Sequence, residues 1–95
     1  MMTYEDHLEE AKEVSEDFYV MLEQGDSSNK EIAGQGRKIL YHLERAVEIL
    51  NDTEATETII LGTAIGLITL AVNKKEPAYV QAGRMAIYEL LHGED

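Results

Sequence analysis

Three observations predict an all-α protein, an antiparallel four-helix bundle in up-down-up-down order. Apolar residues recur every three or four positions in three separate segments, the period of a helix with one buried face. A fourth stretch, TIILGTAIGLITLAV at 58–72, holds no charged side chain although 28% of the chain is charged, so it is expected to be covered on every face. The breaks between segments are about three to five residues long, and links that short join antiparallel neighbours. Residues 1–95 then form a single domain, large enough for one hydrophobic core.

The first helix is expected over 4–24. Thr3 can cap it, and Asp6 three positions on suits the positive end of its dipole. Tyr4, Leu8, Ala11, Val14, Phe18, Met21 and Leu22 make its inward stripe, and Gly25 ends it. Its outer face carries Glu5, Glu9, Glu10, Glu13, Glu16, Asp17 and Glu23 against the single Lys12. This run is either a solvated face or an acidic surface for a basic partner.

Ser28 and Glu31 form a capping box that opens the second helix, 29–50. Ile32, Gly36, Ile39, Leu40, Leu43, Ala46, Val47 and Leu50 share one side. Gly34 and Gly36 weaken a helix by about 1 kcal/mol each relative to Ala, which points to close packing there or to a loose first turn. Asn51 with Glu54 offers a second cap pair, so the third helix is expected from 53 to 72. Ile59, Ile60, Ile65 and Ile68 would also suit a strand, but strands usually run about 4 to 8 residues and this run lacks strict alternation. A membrane span needs about 18 to 20 apolar residues, more than the charge-free run supplies. Leu67 is the expected centre of the core. Gly62 and Gly66, four apart, allow a close backbone approach, either at an internal crossing or at a dimer seam. After a polar turn at 73–76, Pro77 starts the fourth helix, 77–92, with Tyr79, Val80, Gly83, Ala86, Ile87, Leu90 and Leu91 inward and Gly93 placed to stop it.

The formal net charge of -11 disfavours nucleic acid and anionic lipid surfaces as partners, because both reward Lys and Arg. A protein partner fits better, with no membrane insertion of the chain itself and a monomer or weak dimer in solution. The chain has no cysteine, and its N-terminus MMTYEDHLEE is acidic where a secretion signal would be basic and then apolar. Both fit a cytoplasmic location.

Catalytic patterns are missing from the sequence. No nucleophile elbow, phosphate-binding glycine loop or zinc spacing occurs. Glu89 and His92 have the Glu-x-x-His spacing of di-iron bundles, but a second such pair and two further core glutamates are needed. His7 is expected at the core margin beside Glu10, and His42 alone on the flank of the second helix. The sequence therefore predicts no enzyme, no metal and no cofactor. Of the five tyrosines, Tyr4, Tyr19, Tyr41, Tyr79 and Tyr88, most suit core packing, with Tyr41 and Tyr88 at stripe edges. A Tyr near Arg84 or Lys75 is the better candidate for partner recognition, since Tyr and Arg are enriched at binding hot spots.

From Glu31 onward the layout resembles the pediocin-like (class IIa) bacteriocin immunity proteins of the enterocin A type. The resemblance is carried by Ile-Ala and Arg-Lys in EIAGQGRKIL, Leu-Glu in YHLERAVEIL, the apolar third helix, the turn at Asn73 and Lys74, and a last helix ending in ELLHG. It implies a small cytoplasmic four-helix bundle that protects a producer cell from its own bacteriocin. The implied partner is the membrane-embedded mannose permease with bacteriocin bound, met from the cytoplasmic side and distinguished by the C-terminal half. Asn73, Lys74, Lys75, Tyr79 and Arg84 are the candidate partner-binding residues on that reading, although Lys74 and Lys75 would also serve simply to oppose a helix dipole. A second class of function is an acidic phage or host-defence inhibitor, whose first-helix carboxylates imitate nucleic acid in a basic protein cleft.

Overall fold

In the computed structural model, which describes residues 1–93, four helices account for most of the chain: α1 Tyr4–Gln24, α2 Asn29–Leu50, α3 Thr56–Lys74 and α4 Pro77–His92. Each packs on its sequence neighbour, and α4 returns to α1, so the four form a closed ring with α1 diagonal to α3 and α2 to α4. This is the all-α, up-down-up-down antiparallel bundle.

Local chemistry sets most of the helix ends. Thr3 Oγ1 accepts from the Asp6 N–H at 3.1 Å, and Asp6 Oδ2 accepts from the Thr3 N–H at 3.0 Å. Ser28 and Glu31 repeat the arrangement at 3.1 and 2.8 Å. Each box satisfies helix-end donors that have no intrahelical partner. Gly25 closes α1 in the left-handed conformation, φ 75°, its N–H donating to Met21 O. Pro77 takes the first position of α4, where its missing N–H costs nothing. Gly93, at φ -54° and ψ 142°, ends α4 in extended rather than left-handed backbone.

The start of α3 departs from expectation. Asn51 is not an N-cap: it adopts the left-handed conformation, φ 51°, as the C-cap of α2, with its N–H on Val47 O. An N-cap needs extended backbone, so one residue cannot do both. A turn intervenes, in which Asp52 Oδ1 accepts from the Glu54 N–H and Asp52 O from Thr58 Oγ1. Helix α3 begins at Thr56 behind Ala55, which offers no side-chain cap, and it continues through Asn73 and Lys74. The polar turn before α4 shrinks to Lys75 and Glu76, with Lys75 at φ 58°.

The fully buried core is Leu8, Ala11 and Phe18 of α1, Ile39, Leu43 and Ala46 of α2, Leu61, Ala64, Ile68 and Ala71 of α3, and Val80 and Ile87 of α4. Leu67 is only half-buried and is not the centre. Ser15 is also buried, its hydroxyl donating to Lys12 O at 2.7 Å. His7 lies inside rather than at the margin, and it meets His42, so the two are not isolated.

Close packing at glycine occurs at two places. A Cβ on Gly36 would fall well inside contact distance of Val72 Cγ2, and one on Gly83 would sit 3.0 Å from Ile68 Cδ1. Gly36 therefore sets the approach of α2 to α3, and Gly83 that of α4 to α3. Gly62 and Gly66, expected at an internal crossing, face open space, as does Gly34.

Candidate functional site

Helix α3 is not covered on every side. Ile59, Gly62, Thr63, Gly66, Thr69 and Leu70 recur every three or four residues along its outer face, and all are exposed, Ile59 at 63% and Leu70 at 39%. The reason lies in the ring: α3 touches two neighbours, α2 and α4, and its remaining face stays outside. No charge interrupts this strip from Thr58 to Asn73. The Thr63 hydroxyl donates to Ile59 O at 3.2 Å and the Thr69 hydroxyl to Ile65 O at 2.8 Å. Both donors are satisfied inside the helix, which leaves the strip with little that needs water. An 18-residue window of this 19-residue helix has a mean hydropathy of 1.5, long and apolar enough by length and composition to cross a membrane, a test that the core helix of a soluble bundle also passes. Sequence reading missed this face because uncharged residues look the same whether covered or bare.

The five candidate residues divide among three places. Lys74 and Tyr79 come together across the α3–α4 turn, around a shallow hollow with Glu76 and Ala78. Tyr79 also packs against the core, and Asn73 is exposed one residue before Lys74. Lys75 turns to the other side, over a hollow formed with Met21, Gly25, Ser27 and Ile32 beside the α1–α2 turn. Arg84 lies in a groove of about 550 Å³ between α1 and α4, lined also by Lys12, Glu16, Met85, Tyr88 and His92. Its guanidinium donates to Gln81 Oε1 at 2.9 Å and stands 3.6 Å from Glu16 Oε2, while its Nε is buried with no partner. Exposed Met85 and Tyr88 make that groove amphipathic, with the Tyr88 ring against His92 at a 4.2 Å centroid separation.

The acidic residues of α1's outer face are all exposed. Tyr19 donates to Glu23 Oε2 at 3.2 Å, and that hydrogen bond, followed by the carboxylate charge, pushes the phenol above its usual pKa. Among the described residues no three His, Cys, Asp or Glu side chains stand close enough to hold a metal ion. Glu89 and His92 are both exposed at the end of α4.

Comparison with protein-family models, with curated proteins and with solved structures gives no match to this chain.

Proposed function

We propose that this chain is a non-enzymatic bacteriocin immunity protein. It protects a producer cell by binding, from the cytoplasmic side, the complex of a bacteriocin with its membrane-embedded receptor, a sugar permease of the mannose type. The observation that carries the reading is the outer face of α3. A strip without charge on a protein of net charge -11 suits an apolar helix of a membrane-embedded partner, and Gly62 and Gly66 leave room for that helix's backbone to come close. The strip runs into the corner where Lys74 and Tyr79 meet, so the third and fourth helices supply one continuous region for recognition. The resemblance to the enterocin A type of immunity protein, which runs from Glu31 onward and implies a partner distinguished by the C-terminal half, supports the same two helices.

The test is protection. Cells sensitive to pediocin-like bacteriocins and expressing this chain in the cytoplasm should survive at least one member of a bacteriocin panel at concentrations that kill the parent strain. Killing at unchanged concentrations by every member would reject the reading.

A second reading rests on the exposed carboxylates of α1: an acidic inhibitor that occupies a basic, nucleic-acid-binding cleft. Replacing Glu5, Glu9, Glu13 and Glu16 by Gln separates the two. Immunity through α3 survives that change, whereas mimicry does not.

A further inference from the structure

We propose that His7 and His42 form a pH-sensitive latch on the α1–α2 seam, closed while the facing nitrogens share no more than one proton and released when both carry one. The two Nδ1 atoms are 2.9 Å apart, a hydrogen-bond distance between residues 35 apart in sequence. At that separation one nitrogen must donate and the other accept. A neutral pair meets this condition, and so does a pair with one imidazolium. Two imidazolium rings would oppose two donors and two positive charges, and the contact could not persist.

The surroundings do not rescue a second charge. His7 is 4% exposed and is held in the first turns of α1, its N–H on Thr3 O. The Tyr41 ring stands nearly edge-on to both imidazoles, with centroids 6.2 Å from His7 and 5.1 Å from His42. From α1, Asp6 interacts with His7, and Glu10 favours a charged His42. From α2, Arg37 and Lys38 line the same hollow as Glu10 and His42 and oppose further positive charge. No charged side chain of α3 or α4 contributes at His42. Burial first, and His7 second, hold His42 below the usual imidazole range despite Glu10.

With a folded pKa depressed below its unfolded value, His42 stabilises the seam fully above the ordinary imidazole pKa of about 6.5, and that contribution is lost as pH falls through the folded value. Carboxyl groups ordinarily titrate at about 4, so a change in stability between neutrality and pH about 5.5 is the signature of imidazole chemistry.

Two measurements test the latch. In a proton NMR titration of the wild-type chain, His42 should show its midpoint below 6.5, with its resonances and those of His7 moving together. Urea melts at pH 7.5 and 5.5 should show the wild-type midpoint falling relative to that of His42→Phe, which keeps an aromatic ring beside Tyr41 but cannot titrate. His92→Gln, at the exposed end of α4, should follow wild type. A His42 midpoint at or above 6.5, or parallel pH dependence in wild type and His42→Phe, would overturn the proposal. Should the Phe variant fail to fold, the wild-type chain still decides: loss of the His7–His42 ring contacts in nuclear Overhauser spectra between pH 7.5 and 5.5 supports the latch, and their persistence overturns it.

Discussion

Replacing Gly36 by Ala should leave the bundle less stable than the same change at Gly34, two residues away on the same helix, which should stabilise it. Both positions lie inside α2, where Gly to Ala gains about 1 kcal/mol of helix propensity. At Gly34 the new methyl meets nothing within 4 Å, so the gain is realised in full. At Gly36 the methyl overlaps Val72 Cγ2 on α3. A β-branched side chain in a helix has essentially one χ1 rotamer, so Val72 cannot swing aside and the two helices must part. Overpacking of this kind costs about 1 to 3 kcal/mol. Net of propensity, Gly36→Ala should lie between neutral and about 2 kcal/mol destabilised, placing it roughly 1 to 3 kcal/mol below Gly34→Ala. At about 4 to 8 °C per kcal/mol for a domain of this size, the two variants should melt at visibly different temperatures. Adding Val72→Ala to Gly36→Ala should recover more stability than Val72→Ala alone would suggest, the non-additivity of residues in contact. Equal melting of the Gly34 and Gly36 variants would refute the packing argument and with it the assignment of the α2–α3 approach.

Two other outcomes check the core and the acid limb. Leu61→Ala, at a fully buried position, should cost about 2 to 5 kcal/mol in urea melts, and Leu67→Ala, half-buried, distinctly less; the reverse order would contradict the placement of α3. Asp6 is held below its ordinary pKa of 3.8, chiefly by the Thr3 N–H, so its contribution is present above that value and is lost as pH falls through the lowered folded value. Stability measured from pH 5 to pH 2 should therefore fall less steeply in Asp6→Asn than in wild type, and an unchanged slope would remove the capping box from the account.

What the sequence made legible was local. The Thr3–Asp6 and Ser28–Glu31 pairs lie three residues apart and can be read directly, as can Pro77 and the apolar stripes of α1, α2 and α4. What it hid depended on the relation between helices. Asn51 is equally suited to begin a helix or to end one in the left-handed conformation, and only the turn through Asp52 decides between them. Gly62, Gly66 and Gly36 are the same residue in the same kind of helix, yet one packs against Val72 and two face outward. His7 and His42 meet only because α1 and α2 pack in one register. The candidate site divided for a related reason. Lys74 and Lys75 are adjacent, but the first is helical and the second left-handed, so their side chains leave the turn toward different hollows.

The proposed immunity function has the uncharged outer face of α3 meet an apolar, membrane-embedded partner, and one variant addresses that contact directly. Ile59→Glu combined with Gly66→Glu places two carboxylates on that face at positions where Ile59 is 63% exposed and a side chain on Gly66 meets nothing within 4 Å. Exposed substitutions of this kind change stability by about 0.5 kcal/mol or less, apart from the propensity gained at the glycine. Circular dichroism and melting temperature should therefore match or exceed those of the parent. Survival of sensitive cells under bacteriocin challenge is the measurement. The parent chain should protect and the folded double variant should not; equal protection by both would reject the α3 interface.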